Sequence, residues 1–257
     1  MQNKLKPLIK KIKEKKELSS LDDSLVEEEI SKELKKQQKR FENFNKKQYK
    51  LLVKKIRSKL RLLTGRFQTS SKERDALLQK GDILSLLKTH SSTKERIEFY
   101  SELNSRIYSL SIKSILDLGA GLNPIAVANQ SVIYYAVDIK RDELQLIGKF
   151  FKKNKIRGKT IYCDLRHLDC IFPKADICLI FKVFDVLETG GHKLAEKIIR
   201  DTDCKYFIVS FSTKTLSGQP MNHPQRGWIE RLLSRLGFKF EVFKSNNEIF
   251  YLFTKSS

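Results

Sequence analysis

The stretch Ile112-Lys-Ser-Ile-Leu-Asp-Leu-Gly-Ala-Gly-Leu-Asn-Pro-Ile-Ala126 most narrows what this chain can fold into. A β-compatible apolar run (Ile115, Leu116, Leu118) ends in Gly119-Ala-Gly121, and a helical pattern resumes at Pro124. Strand, glycine-rich turn and helix start follow in immediate succession. Such a turn lets the backbone approach a ligand closely, where a Cβ would collide. Roughly twenty residues on, Val132-Ile-Tyr-Tyr-Ala-Val137 reads as a second strand ending on Asp138, where an acid is placed to accept from ribose hydroxyls.

The glycine pattern separates cofactors. A dinucleotide site wants G-x-G-x-x-G, so that pyrophosphate sits on the helix N-terminus. Here Pro124 holds the third position and Asp117 precedes the glycines. A carboxylate there suits a cationic amino-acid ligand and repels pyrophosphate. The pattern reads as a site for S-adenosylmethionine (SAM), with Asp117 toward the methionine part and Asp138 toward the ribose. The bland alternative is a plain strand-to-helix turn, against which two acids and two glycines agree.

A chain of 257 residues allows one large or two smaller domains, and 40% hydrophobic content supports a sizeable core. Lys and Arg number 51 against 30 Asp and Glu, a net charge of +21. That excess points to nucleic acid first and an anionic membrane second. No apolar run approaches the roughly 18–20 residues that span a bilayer, and no secretory h-region opens the chain. Cys163, Cys170, Cys178 and Cys204 lack C-x-x-C pairing. Cys163 and Cys178 fall in strand-like runs, where a free thiol acts as a small buried hydrophobe. A reduced, cytoplasmic, metal-free, monomeric protein is expected.

Residues 1–66 carry 21 Lys and Arg against 9 Asp and Glu. Lys4 to Lys16 is a basic helix-compatible run. Ser20 with Asp23 predicts a capped helix start, followed by a long polar helix through Glu27-Glu-Glu29 and Lys35-Lys36. Leu51, Leu52, Ile56, Leu60 and Leu63 form an apolar stripe at helical spacing, and Gly65 fits a helix stop. Two accounts of residues 1–45 stand together: a solvated helical hairpin, and a basic arm gripping RNA phosphates. A helical region spans Ser71 to about Leu87. Ser92 and Glu95 have capping-box spacing, so a helix should begin there and continue past Phe99 and Tyr100. Arg96 then falls in the first turn, where the helix dipole disfavours a cation unless an anion compensates. Spacing alone favours plain capping; a SAM carboxylate would be one such anion.

Beyond Asp138, a helix from Asp142 to Lys153 leads to a strand, Thr160-Ile-Tyr-Cys163, ending at Asp164-Leu165. An acid here either contacts an adenine amino group or is a solvated turn residue. Ala175 to Phe181 is near-continuously apolar, as in a parallel strand buried on both faces, and Lys182 follows at the ligand-binding edge. After a helix from Lys193 to Arg200 comes the strand Tyr206-Phe-Ile-Val209. The polar loop Ser210 to Gly218 follows at the same edge, suited to phosphate or base contacts or simply a surface loop. Trp228 to Leu236 is helical. Phe238 to Phe243 and Glu248 to Phe253 flank the turn Ser245-Asn-Asn247 as an antiparallel hairpin. The fold class is α/β: a Rossmann-like class I methyltransferase sheet with a C-terminal antiparallel hairpin, preceded by an all-helical N-terminal domain. The division is 1–88, a basic helical RNA-binding region, and 89–257, a SAM-dependent methyltransferase domain.

Four blocks together resemble the aminoglycoside-resistance 16S ribosomal RNA (guanine-N7)-methyltransferases. They are His90-Ser-Ser-Thr-Lys-Glu-Arg96, Asp117-Leu-Gly-Ala-Gly-Leu-Asn-Pro124, Phe181-Lys182 with Leu187-Glu188, and Val209-Ser-Phe-Ser-Thr-Lys-Thr-Leu216. The second marks only a SAM enzyme; the combination is far more restrictive. The resemblance covers roughly residues 88–254. It implies that His90, Ser91, Ser92 and Arg96 help hold SAM. It also implies that Gly119, Gly121, Asp138, Asp164, Leu165, Ile180 and Phe181 line the rest of the cofactor site with Asp117. The chain departs from the family pattern in the arm before residue 45, at Val183-Phe-Asp-Val186, and in a shorter loop between Gly218 and His223.

Guanine N7 carries a free lone pair, so methylation there needs no general base, and catalysis reduces largely to positioning. Reaching a stacked N7 requires extruding the base at a few kcal/mol, offset by phosphate contacts. Lys182, Glu188, Ser210 and Lys214 are the candidates for the target side. The implied partner is 16S rRNA or the small ribosomal subunit, without metal or membrane. Two rivals are a SAM-dependent methyltransferase of another rRNA position or tRNA, and a non-catalytic RNA-binding protein that keeps the fold.

Overall fold

The computed structural model describes residues 2–37, 44–64, 71–167, 170–187, 191–215, 218–221 and 224–255. Its strands are β1 (Ser114–Leu118), β2 (Ile133–Asp138), β3 (Gly158–Tyr162), β4 (Ala175–Phe181), β5 (Cys204–Ser212), β6 (Phe240–Lys244) and β7 (Glu248–Thr254). They form one sheet in the order β3-β2-β1-β4-β5-β7-β6. β1 to β5 run parallel, and β7 lies antiparallel between β5 and β6. The order reverses between β1 and β4, which opens a crevice at their carboxyl ends. Asp117, Asp138 and Phe181 all come to that edge. This is the class I methyltransferase sheet, closed by the expected hairpin.

Twelve α-helices are described: α1 (Gln2–Lys13), α2 (Asp23–Gln37), α3 (Lys46–Thr64), α4 (Ser71–Lys80), α5 (Ile83–Lys88), α6 (Ser91–Arg96), α7 (Tyr100–Ser109), α8 (Pro124–Val127), α9 (Arg141–Lys153), α10 (Phe184–Leu187), α11 (Lys193–Asp201) and α12 (Gly227–Arg235). Period-2 alternation divides each central strand between two cores. Ile115, Ile177, Leu179 and Phe181 face α4, α5, α7, α8 and α9, while Leu116, Cys178 and Ile180 face α10, α11 and α12.

The N-terminal helices form a third core. Leu5, Leu8, Ile9 and Ile12 of α1 pack with Leu25, Val26 and Ile30 of α2 and with Leu52, Val53, Ile56 and Leu60 of α3. The described residues 2–37 are therefore more than a solvated hairpin: α2, expected to be polar, hides a narrow apolar face that α1 and α3 cover. Leu51 departs from its expected stripe and is 64% exposed. The Leu63 side chain and Gly65 lie outside the described residues. α2 begins at Asp23, two residues later than the Ser20 cap predicts. Leu78, Leu86 and Leu87, from α4 and α5, pack with the sheet and not with this bundle.

Other expectations shift locally. The region from Ser71 splits at Gly81 (φ +77°), and Asp82 caps α5 by accepting from the Ser85 N–H at 3.0 Å. α6 starts at Ser91 with no side-chain cap, so the capping box is not made, and Arg96 falls in its last turn. β5 absorbs Ser210, Phe211 and Ser212, which had read as loop, because β7 pairs alongside them. Cys163 and Cys170 are joined in a disulfide with Cα atoms 6.1 Å apart, against the expectation of free thiols. The bend after β3 brings them together, and no sequence motif announces it. No described helix is long and apolar enough to cross a membrane.

Candidate functional site

The crevice is built around the turn after β1. Gly119 (φ +73°) and Gly121 (φ +49°) adopt left-handed backbone that side chains disfavour. The Gly119 and Ala120 N–H groups both donate to the Val137 carbonyl at 2.9 Å, and the Gly121 N–H donates to Asp138 Oδ2 at 2.8 Å. The turn is thereby pinned across the end of β2. A Cβ on Gly119 would stand 2.4 Å from Val183 Cγ2, and one on Gly121 3.0 Å from His90 Nε2. Val183 and His90 already occupy the space a Cβ would need, so both positions require glycine.

Asp117 lies buried beneath this turn. Its Oδ2 accepts from the Tyr134 hydroxyl at 2.6 Å and the Asn123 amide at 2.8 Å. Burial pushes its carboxyl up to about 6, only partly countered by those two hydrogen bonds. Asp138 also accepts from the Lys140 N–H at 2.9 Å, yet burial and the neighbouring Glu143 raise it to about 7. Behind it, Glu143 pairs with Arg74 (3.2 Å) and Lys140 (3.3 Å). Burial opposes ionisation there, but these two cations prevail and lower its carboxyl to about 2. His90 stands against Gly121, held neutral chiefly by burial, and its Nδ1 is buried with no hydrogen-bond partner. Ser91 and Ser92 follow it, half-buried at the start of α6.

Across the crevice, Asp164 and Leu165 follow β3, and Ile180 and Phe181 end β4. Arg166 chelates Asp164 (2.6 Å) and also reaches Glu28 (2.9 Å) and Glu29 (2.6 Å) of α2, so Asp164 tethers the helical bundle. Burial opposes this pairing, but Arg166 holds the Asp164 carboxyl below its ordinary value. Glu28, Asp164 and His167 form the one group with metal-ligand spacing among the described residues, and Arg166 already pairs with both its carboxylates. The Ile180 side chain turns into the opposite core, so only its backbone reaches the crevice.

Arg96 is 1% exposed and grips Glu248 with two prongs: Nε donates to Oε2 at 3.0 Å and Nη2 to Oε1 at 2.9 Å. Nη1 donates to the Tyr100 hydroxyl at 3.3 Å and Asn123 Oδ1 at 3.4 Å, and the guanidinium lies 4.7 Å over the Phe181 ring. The anion Arg96 needs is therefore a side chain of this protein. Lys182 pairs with Glu95 at 2.6 Å and with Glu248 at 3.5 Å. Ser210 is fully buried, donating to Glu248, so it cannot itself meet a nucleotide. Lys214 is exposed, bridged to Pro220 in the following loop. Glu188 lies outside the described residues. Sequence reading missed Glu248, Asn123, Tyr134 and Glu143; only the unbalanced charge on Arg96 hinted at one of them.

The sequence model of the ribosomal RNA methyltransferase (FmrO) family matches residues 45–252. The chain belongs to that family. This methyltransferase is 28% identical over 216 residues to a 16S rRNA (guanine(1405)-N(7))-methyltransferase of Serratia marcescens, covering 80% of this chain and 84% of the relative. Its fold superposes on the 16S rRNA methyltransferase RmtF, solved with S-adenosyl-L-homocysteine, with a TM-score of 0.83 at 23% identity over 100% of both chains. The 16S rRNA methylase ArmA superposes with a TM-score of 0.58 at 27% identity, over 71% of this chain and 98% of that one. The crevice of this methyltransferase fits SAM: the left-handed glycine turn, a carboxylate at the end of β2 and the unpartnered buried His90 Nδ1 offer the backbone and polar groups it requires.

Proposed function

We propose that this protein transfers a methyl group from SAM to N7 of a guanine in the decoding site of 16S rRNA, acting on the small ribosomal subunit and thereby conferring aminoglycoside resistance. One observation carries the reading: in a chain of the rRNA methyltransferase family, the glycine turn is pinned to Asp138 beside a buried Asp117. His90, Ser91, Ser92 and Arg96 would close one side of the cofactor, Asp164, Leu165, Phe181 and the Ile180 backbone the other. SAM supplies a methyl carbon activated by a sulfonium. The side chains bind, orient and exclude water; none needs to remove a proton, because N7 brings its own lone pair. Lys182, Lys214 and Glu188 are assigned to the target side, Ser210 to its support. The reading requires no metal and one copy of the chain, in the cytoplasm where its substrate is made.

RNA binding is assigned to the N-terminal region, residues 1–88, and within it to a concavity of about 260 Å³ between α1 and α3. Lys11, Lys15, Lys50, Lys54, Arg57, Arg61 and Tyr49 line it. Arg57 donates to the Lys11 and Ile12 carbonyls and Arg61 pairs with Glu17 at 2.6 Å, which fixes the scaffold of the groove. Lysines over such a concavity suit phosphates without reading sequence.

Labelled methyl transfer from SAM to purified small subunits, free 16S rRNA and tRNA, with mapping of the modified base, tests the proposal. N7-methylguanine at the decoding site is the expected product, and Arg96→Ala should lower its yield at least tenfold, roughly the loss when one partner of a buried charged pair is removed. Label on tRNA alone, or at another nucleotide, would keep the methyltransferase and discard this target.

A further inference from the structure

Glu248, the first residue of β7, is fully buried, and its carboxylate collects groups from three other parts of the fold. Arg96 of α6 holds it with two prongs at 3.0 and 2.9 Å. Ser210 of β5 donates its hydroxyl to Oε1, and Lys182, just after β4, brings Nζ to 3.5 Å from Oε2. Burial pushes the carboxyl up, but Arg96, Lys182 and the Ser210 hydrogen bond outweigh it and hold it ionised.

What this carboxylate joins is more telling than how well it is satisfied. On one side, Arg96 donates to Asn123, and Asn123 donates to Asp117 beneath the glycine turn. On the other, the Ser210 hydroxyl that donates to Glu248 also accepts from the Lys182 N–H at 3.2 Å. Lys182 has φ +58°, a left-handed conformation that disfavours a non-glycine residue and persists only where its surroundings impose it. The next residue, Val183, packs over Gly119. A continuous chain of polar contacts thus runs from Asp117 to Lys182, and Glu248 is the link where its halves meet.

We propose that Glu248 is a positioning residue for methyl transfer, fastening the cofactor-side Arg96 and the target-side Lys182 to one buried carboxylate so that donor and acceptor are aligned together. This rests on the assignment of Arg96 and Lys182 to those two sides. A buried ion pair that served stability alone would be replaceable without effect on turnover. This one links α6 to the residue that follows β4, the two elements assigned to donor and acceptor.

The test is Glu248→Gln in the full chain, with a thermal unfolding curve to set a temperature at which parent and variant are both folded. There, SAM affinity is measured by calorimetry and single-turnover methyl transfer to small subunits at saturating SAM. Both should fall about tenfold or more, as expected when a buried charge loses its partner. Lys182→Met should cost less in the Glu248→Gln background than in the parent, because coupled residues are not additive. Loss of thermal stability with affinity and rate both within twofold of the parent would overturn the proposal, as would additive effects of the two substitutions. If Glu248→Gln does not fold, Ser210→Ala substitutes for it: a smaller loss of rate in the same direction is expected, and an unchanged rate overturns. If the parent itself leaves small subunits unmethylated, the target assignment has failed, and SAM affinity alone then decides for Glu248.

Discussion

Asp117 and Asp138 lie on neighbouring strands at the same crevice, and burial raises both, to about 6 and about 7. A folded value above the ordinary 3.8 means stability that is fully present below 3.8 and lost as pH rises through 6 and 7. Cofactor binding should reverse that, since ribose hydroxyls and a cationic amino group both favour the ionised acids. SAM should therefore bind about tenfold more weakly at pH 6 than at pH 8, following the ionised fraction of a group titrating near 7. Calorimetry across that range checks it, and the rise in unfolding temperature on adding SAM should grow in parallel. Asp138→Asn should bind weakly at every pH; a steep profile that survives this substitution would assign the proton elsewhere.

At the scale of elements, the turn between β1 and α8 is where backbone and site are the same thing. Gly119→Ala places a Cβ against Val183 in a left-handed conformation, and should destabilise the protein by about 1–3 kcal/mol while depressing methyl transfer. Gly148→Ala, in the middle of α9 where a Cβ meets nothing within 4 Å, should instead stabilise by about 0.5–1 kcal/mol. Thermal unfolding of the two variants side by side separates the required glycine from the incidental one. Val183 matters here because it departs from the family pattern, and yet it is the residue that roofs the turn.

Across the whole molecule, the helical bundle sits against the crevice edge. Arg166 bridges Asp164 to Glu28 and Glu29, and Arg141 pairs with Asp22 at 2.6 Å while stacking on Tyr162. The basic concavity of the bundle is thus carried on a surface tied to the adenine end of the proposed cofactor site. Neutralising Lys15, Lys50 and Lys54 together to Gln should weaken RNA binding about equally for all sequences. It should also flatten the dependence of log affinity on log salt, by about 0.7–0.9 for each phosphate left without its lysine. A salt titration of binding to 16S rRNA reads the slope; one that does not change would move the RNA surface away from this groove.

Much of this was legible in the residues themselves. Strand periodicity, the Gly119-Ala-Gly121 turn, Asp138 at a strand end and the hairpin around Ser245-Asn-Asn247 are local patterns, and local sterics impose them wherever the chain goes. The family's four blocks are likewise linear runs. What lay beyond reach depends on residues far apart in sequence. Glu248 meets Arg96 across 152 positions, and neither has a neighbour that announces the other. Glu95 matched a helix cap, but a nearby cation, Lys182, offered a better partner than its own backbone. Ser210 read as loop because β7, which pairs with it, arrives only after the intervening helix. The apolar face of α2 was too narrow to register until α1 and α3 covered it. Sequence by itself determined the sheet and the cradle because those follow from backbone conformation; only the folded chain decided which buried charges face one another, because that depends on where distant segments meet in a medium that tolerates no unpaired ion.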